Sequence, residues 1–160
     1  MEQKVVALVP ALNEGKNLAL LIPEIQRWVK DVIVIDDGST DDTAEVARKN
    51  GALLLHHPQN RGKGAALRTG FHYLLAKGYE GCIILDGDGQ HSPQDIPSFL
   101  KSGSDPKVGV VLGNRMRETS SPCRLSLSRG SWAGGGIARG RRAIRRHPVE
   151  RAEQGHDRGR

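Results

Sequence analysis

Two aspartates on glycine spacers form the most chemically suggestive group in this sequence. Asp86 and Asp88 follow three branched apolar residues, Ile83 to Leu85, in the stretch CIILDGDGQHSP. Such an apolar run is typical of a strand buried on both faces, and the glycines leave room for a bulky neighbour. Two carboxylates this close repel each other unless a cation or a shared proton lies between them. A hard divalent cation with oxygen ligands is the simplest prediction for this site.

A second acidic group follows another apolar strand, in the stretch IDDGSTDDT at 35–43. Asp41 and Asp42 suit the positive N-terminal end of the helix that comes next. Asp36 and Asp37 are not explained in that way, because they leave a buried strand before any helix has begun. Carboxylates in that position suit hydrogen bonds to a ribose or to the edge of a base.

The elements that position these residues alternate between short apolar strands and helices. Strands are predicted at 4–9, 31–39, 52–58, 81–89 (with its turn) and 107–115, and helices at 17–29, 40–51, 62–78 and 92–103. Asn17 is predicted to cap the first helix. This order predicts an α/β domain with a mostly parallel sheet and helices on both faces.

Polar residues follow every predicted strand, and parallel strands bring their carboxyl ends to one edge of a sheet, where ligands bind. The sequence therefore predicts one polar site at that edge. Its members are Asn13, Glu14, Asp36, Asp37, Arg61, Lys63, Asp86, Asp88, Asn114 and Arg115.

Two further stretches could bind phosphate. The turn NRGKGAAL at 60–67 opens a helix whose backbone amides favour anions, although a flexible polar loop explains it equally well. It is neither a Walker loop nor a G-x-G-x-x-G turn. Arg115 and Arg117 alternate on an extended segment and could clamp one phosphate, with plain surface charge as the alternative. Four histidines are expected at the surface or at strand ends: His56, His57, His72 and His91.

Charge divides the chain in two. Residues 1–119 hold 14 Lys and Arg against 15 Asp and Glu, whereas residues 120–160 hold 10 Arg, no Lys and 3 acids. We expect a folded domain at 1–119 and an Arg/Gly-rich tail at 120–160 that does not fold. The abrupt change favours an out-of-frame or foreign extension, with an ordinary disordered basic tail as the alternative. Any binding of the tail to nucleic acid is expected to be non-specific.

The remaining composition predicts a cytoplasmic protein. The two cysteines, Cys82 and Cys123, have no zinc-like or disulfide-like spacing, which favours a reducing compartment. The N-terminus enters a strand pattern without a signal peptide, and no apolar run reaches membrane-spanning length.

Together, the motifs VVALVPALNE, VIVIDDGSTDDT, NRGKGAAL, ILDGDGQHSPQDIP and LGNR resemble the family 2 glycosyltransferases of GT-A fold. Within that family the resemblance is greatest to dolichol-phosphate mannosyltransferase-like enzymes that load polyprenyl phosphate. It covers residues 4 to about 119, and it implies a GDP- or UDP-linked sugar donor, a Mg²⁺ or Mn²⁺ cofactor and a polyprenyl-phosphate acceptor at the inner membrane surface.

The resemblance also assigns roles to individual residues. It implies that Asp86 and Asp88 hold the metal on the diphosphate, that Asp37 and its neighbour contact base or ribose, and that Arg115 neutralises phosphate. The full set bordering the donor is Pro10, Ala11, Asn13, Glu14, Asp36, Asp37, Lys63, Asp86, Gln90 and Arg117.

The Arg/Gly tail stands where members of this family continue with the acceptor side. A shortened, weakly active or inactive product is therefore expected. Two alternatives stay open: a nucleotide-sugar-binding module without turnover, and a D-x-D phosphotransferring hydrolase with Asp86 as its nucleophile.

Overall fold

The computed structural model describes residues 4–105, 108–114, 126–129 and 143–148. The strands are β1 Val5–Ala11, β2 Asp31–Asp36, β3 Leu53–His56, β4 Gly81–Ile84, β5 Val108–Asn114, β6 Ser126–Arg129 and β7 Ala143–Pro148. The helices are α1 Gly15–Gln26, α2 Thr43–Lys49, α3 Lys63–Lys77 and α4 Ile96–Gly103, and a 3-10 turn at Pro93–Asp95 precedes α4.

The strands form one sheet in the order β3-β2-β1-β4-β6-β5-β7. Strands β1 to β4 pair in parallel, whereas β6 is antiparallel to both β4 and β5. Two successive antiparallel pairings restore the strand direction, so β5 runs the same way as β4. The predicted α/β architecture with a mostly parallel sheet is confirmed.

The sheet carries a separate apolar core on each face, because successive side chains of a strand point to opposite sides. On one face Ala7 and Val9 pack with the apolar sides of α1, α2 and α4. On the other face Val6 and Leu8 pack against α3. Among the helices of the described residues, α3 is the one on this face, because the connection from β3 to β4 crosses β1 and β2 on that side.

Strand β1 continues through Pro10, where the sequence predicted that it would stop. Proline lacks a backbone N–H and is normally excluded from the middle of a sheet. In β1 the missing donor points toward β4, which pairs with β1 only from Val5 to Leu8. Ala11 faces the other way and accepts a hydrogen bond from the Asp37 N–H at 2.9 Å. Pro10 therefore removes no hydrogen bond from the sheet.

Two segments of the tail, which the sequence led us to expect unfolded, are described as strands of the sheet, and the expectation for residues 120–160 as a whole stays a prediction. Ser126–Arg129 forms β6 between β4 and β5, and Ala143–Pro148 pairs with β5 as β7. The backbone explains the difference. The open edges of β4 and β5 carry unpaired N–H and C=O groups that pair with any extended chain, whatever its composition.

Arg115, Arg117 and Cys123 lie outside the described residues. Within the described part of the chain, no helix combines the length and the apolar character needed to cross a membrane.

Candidate functional site

A cleft of about 260 Å³ opens at the carboxyl ends of β1 and β4. The strand order reverses between these two strands, since the chain steps from β1 outward to β3 and then returns to the other side of β1. Ligands of open α/β sheets bind at such reversal points. The cleft is lined by Pro10, Ala11, Leu12, Glu14, Asp37, Asn60, Gly62, Lys63, Ala66, Asp86, Gly87 and Asp88.

The cleft unites most of the residues that the sequence singled out. Seven predicted site residues line it: Pro10, Ala11, Glu14, Asp37, Lys63, Asp86 and Asp88. Three others do not line it: Asp36 is the last residue of β2, and Asn13 and Gln90 lie on adjoining loops. The turn after β4 packs closely against the end of β1, because a Cβ on Gly87 would come within 3.2 Å of the Pro10 carbonyl oxygen.

The turn after β4 presents Asp86 and Asp88 at the mouth of the cleft. The Lys63 Nζ, on the first residue of α3, lies 2.5 Å from the Asp86 Oδ1. The exposed Asp88 accepts the Gln90 N–H on Oδ1 at 3.0 Å, which closes the turn. The described contact of Gln90 is thus made by its backbone.

His91 fixes the same turn from below, although the sequence placed it at the surface or at a strand end. It is only 3% exposed, and its Nδ1 accepts the Asp86 N–H at 2.8 Å. Its Nε2 lies 4.0 Å from the Asp86 Oδ2. One sequence feature could have indicated this contact: His91 lies only five residues beyond Asp86, so its ring stays within reach of the same turn.

Asp36 lies behind the cleft, where it is hydrogen-bonded within the protein; its predicted contact with the donor stays a prediction. It is 1% exposed, and its two carboxylate oxygens have different partners. Oδ1 accepts the Ser39 N–H at 2.9 Å, and Oδ2 lies 3.0 Å from the Nδ1 of His56. The carboxylate therefore holds the turn after β2 and the end of β3 together.

Asp37 does reach the cleft, and its carboxylate is held by the residues behind it. Its Oδ1 lies 2.6 Å from the Nδ1 of His57 and accepts the Arg61 N–H at 3.0 Å. Burial raises the pKa of Asp37, but these hydrogen bonds and one from the Gly62 N–H together hold that pKa below its ordinary value. Asp37 is therefore a carboxylate at neutral pH and can only accept hydrogen bonds.

Asn13 joins the loop after β1 to the loop after β2. Its φ of 56° lies in the left-handed region, which asparagine tolerates better than most residues. Its N–H donates to the Ser39 Oγ at 2.8 Å, and its Oδ1 accepts the Thr40 N–H at 2.9 Å. Asn13 thus shapes the cleft wall from outside.

The glycine-rich turn at 60–67 closes the third side of the cleft, where α3 begins. Gly62 caps that helix with a φ of 87°. The neighbouring loop packs against the turn after β2 so closely that a Cβ on Gly38 would lie 2.4 Å from the Gln59 carbonyl carbon. Gly38 also has a φ of 81°, so this contact depends on glycine.

The charge of the cleft favours a cation. Its lining includes four carboxylates, from Glu14, Asp37, Asp86 and Asp88, and one ammonium group, from Lys63. Hard carboxylate oxygens at the mouth suit Mg²⁺ or Mn²⁺. Within the described residues no three His, Cys, Asp or Glu side chains converge as a complete ligand set. As far as the described residues go, a metal held by Asp86 and Asp88 would take its other ligands from water or from a bound anion.

The chain matches the family model described as Glycosyl transferase family 2 over residues 6–152. This match passes residue 119, where the sequence motifs placed the end of the resemblance. It also removes the hydrolase alternative for the D-x-D turn.

Two relatives transfer mannose by name. The chain is 31% identical to the undecaprenyl-phosphate mannosyltransferase of Micrococcus luteus over 140 residues, which are 82% of this chain and 57% of that protein. It is 30% identical to the polyprenol monophosphomannose synthase of Mycolicibacterium smegmatis over 121 residues, covering 71% and 45% of the two chains. The chain spans about half the length of the curated relatives it matches.

Among solved structures, the chain is similar to the glucosyl-3-phosphoglycerate synthase of Mycobacterium tuberculosis crystallised with Mn²⁺ and uridine-diphosphate-glucose. The TM-score is 0.59 at 27% identity, over 69% of this chain and 43% of that one. The GT-A fold expected from the sequence is confirmed by this likeness.

Proposed function

Because the chain belongs to glycosyl transferase family 2, we propose that it takes a sugar from a GDP- or UDP-linked donor and passes it to a polyprenyl phosphate. One observation carries this proposal: a single cleft has the Asp37 carboxylate on one wall and Asp86, Asp88 and Lys63 at its mouth. That arrangement suits a ligand with a hydrogen-bonding base at one end and a diphosphate at the other.

These charges support one orientation of the donor. The base or ribose lies against Asp37, beside the close-packed turns at 36–39 and 59–62. The diphosphate lies at the mouth, where the Lys63 ammonium and the N-terminal end of α3 favour an anion. Pro10 and Ala11 line the cleft from the end of β1, and Glu14 lines it from the N-cap of α1.

The same charges support a divalent cation as part of the site. A diphosphate entering a cleft with four carboxylates and one ammonium group would be repelled unless further positive charge came with it. Asp86 and Asp88 would hold Mg²⁺ or Mn²⁺, and that ion would stabilise the negative charge of the leaving diphosphate. The similar synthase structures that contain Mn²⁺ with UDP or UDP-glucose support this choice.

The transfer step follows from the chemistry of the two substrates. An oxygen of the acceptor phosphate attacks the anomeric carbon of the sugar, and the bond from that carbon to the diphosphate oxygen breaks. The nucleoside diphosphate leaves with the electron pair, and Lys63 lies where that charge develops. A phosphate nucleophile is already anionic, so the step needs no strong protein base.

The acceptor is proposed from the relatives. One relative is named for undecaprenyl phosphate, and the other is named for the synthesis of polyprenol monophosphomannose. By analogy, the acceptor that we propose for this chain is a polyprenyl phosphate at a membrane surface. Arg115, with Arg117, remains our proposal for binding phosphate, and both follow β5 in the sequence. We retain 1–119 as the donor-binding domain, with β6 and β7 completing the sheet beyond it.

Transfer can be separated from binding alone by following both products. The full chain is incubated with GDP-mannose or UDP-glucose, Mn²⁺ and polyprenyl phosphate in detergent, and nucleoside diphosphate and glycolipid are measured together. Equal amounts of both products support the transferase. Donor binding without either product would instead support the nucleotide-sugar-binding module.

A further inference from the structure

Two acid–histidine pairs lie side by side at the ends of β2 and β3. The parallel register places Asp36 opposite His56, so Asp37 and His57 follow as the next pair. The first pair has its histidine half exposed, and Asp36 does not line the cleft. In the second pair both residues are only 4% exposed, and Asp37 does line it. Of the two histidine–aspartate contacts, only the one between His57 and Asp37 therefore borders the cleft.

His57 joins the cleft to the helix behind it. Its Nδ1 lies 2.6 Å from the Asp37 Oδ1, and its Nε2 lies 2.9 Å from the Thr69 Oγ1 on α3. An ionised carboxylate cannot donate, so the Nδ1 must carry the shared hydrogen. With both ring nitrogens engaged and the ring buried, His57 has one orientation available.

The contact also fixes Asp37. Its Oδ1 receives His57 from one side and the Arg61 N–H from another, so the carboxylate cannot rotate freely about its Cβ–Cγ bond. A fixed, ionised carboxylate offers only acceptor oxygens to the cleft. Uracil and guanine carry a ring N–H on their pairing edge, whereas cytosine and adenine carry a ring nitrogen acceptor there. Unprotonated acceptors facing each other repel, and a buried acceptor left unpaired is costly.

We propose that His57 is a positioning residue for base selection: held by Thr69, it fixes the Asp37 carboxylate so that the cleft accepts uracil or guanine nucleotides and rejects cytosine and adenine nucleotides. This inference rests on the proposed function, because it requires a nucleotide base beside Asp37. It extends that function to a residue that does not itself line the cleft.

The test measures binding of UDP, GDP, CDP and ADP to the full chain by calorimetry with Mn²⁺ present. The wild type should bind UDP or GDP at least about tenfold more tightly than CDP and ADP, as expected for one hydrogen bond to a charged group. His57→Leu removes the donor and should reduce that ratio to about threefold or less. His57→Asn keeps an N–H near the position of Nδ1 and should restore most of the ratio.

His56→Leu is the matched control, because it breaks the neighbouring histidine–aspartate contact without touching Asp37. This variant should leave the affinity ratio of UDP or GDP over CDP and ADP unchanged, even if it lowers the melting temperature. Melting curves for all three variants separate selection from stability. A His57→Leu variant that melts earlier but keeps the wild-type ratio would assign His57 to folding alone and overturn the inference. A wild type that binds none of the four nucleotides would instead overturn the proposed function itself.

Discussion

The Lys63 Nζ lies 2.5 Å from the Asp86 Oδ1, on the carboxylate that we propose as a metal ligand. The ammonium group and the metal therefore compete for one oxygen. When a metal and a diphosphate bind together, Lys63 can move from Asp86 to the diphosphate and keep a negative partner. This pairing makes metal binding weak alone and stronger with nucleotide.

Lys63→Met should raise the affinity for Mn²⁺ alone and lower the affinity for nucleotide in the presence of Mn²⁺. Mn²⁺ alone should bind about two- to fivefold more tightly, since a partly exposed ion pair is worth little more than that. GDP or UDP in the presence of Mn²⁺ should bind more weakly, because the diphosphate loses its ammonium partner. Electron paramagnetic resonance measures free Mn²⁺, and calorimetry measures the nucleotide. Lys77→Met, at the far end of α3, is the control, and equal behaviour of the two variants would exclude competition.

His91→Ala should loosen the turn that carries Asp86. The substitution leaves the Asp86 N–H without its present acceptor, which costs about 1 kcal/mol or more of the free energy of unfolding. Nucleotide affinity with Mn²⁺ should fall as well, because the carboxylates lose their fixed spacing. Urea unfolding and calorimetry measure the two effects. His91→Asn can place an acceptor oxygen near Nδ1 and should recover part of both losses; an Asn variant no better than Ala would contradict this role.

Two glycines of α3 should respond oppositely to alanine. A Cβ on Gly70 would lie 2.8 Å from the Leu8 Cδ1 and 3.2 Å from the Ile35 Cδ1, inside a packed core. Overpacking costs about 1–3 kcal/mol, which exceeds the gain of up to ~1 kcal/mol from replacing a helical glycine. Gly70→Ala should therefore lower the free energy of unfolding. Gly64→Ala meets no atom within 4 Å and should leave it unchanged or slightly raised. Urea titrations of both variants decide the matter, and a stabilised Gly70→Ala variant would show that the core is looser than described.

Asp41 should make stability depend on acid pH. The hydrogen bond from the Thr43 hydroxyl, opposed by burial and aided by the Thr43 and Gly15 N–H groups, lowers the pKa of Asp41 from 3.8. A lowered carboxyl pKa stabilises the fold above 3.8, and this stabilisation is lost as the pH falls through the still lower folded value. The difference in melting temperature between wild type and Asp41→Asn should be constant from about pH 7 to 5 and shrink below about pH 4. A difference that grew on acidification would reverse the assigned sign.

The ends of the strands were predictable from the sequence, whereas the hydrogen-bond partners of the residues at those ends were not. The apolar runs before Asp37 and Asp86 located both carboxylates correctly, because the alternation of strands and helices fixes which ends share an edge. Asp36 and Asp37 look equivalent in sequence, yet only the second lines the cleft. Alternation along a strand predicts that two successive side chains point to opposite sides, but it does not say which of the two points to the cleft.

Local capping was also mispredicted. Glu14, not Asn17, stands at the N-cap of α1, and the Asn17 Nδ2 donates to the Glu14 Oε2 at 2.6 Å. The helix begins early because tertiary contacts satisfy its first amides: the Glu14 N–H donates to the Thr43 Oγ1 and the Gly15 N–H to the Asp41 Oδ2. Those acceptors come from the next loop of the sheet edge, so a local sequence window could not reveal them. The histidine at 57 was missed for the same reason, since its partners lie 20 and 12 residues away.

The central claim is that Asp86 and Asp88 bind a divalent metal together with a nucleoside diphosphate. The most direct test is calorimetric titration of GDP and UDP into the full chain, with and without Mn²⁺. It compares the wild type with Asp88→Asn and with Glu45→Gln, a control at an exposed surface residue. We predict binding that requires Mn²⁺, is lost in Asp88→Asn and is retained in Glu45→Gln. Binding of equal strength without Mn²⁺, or equal binding by Asp88→Asn, would contradict the account.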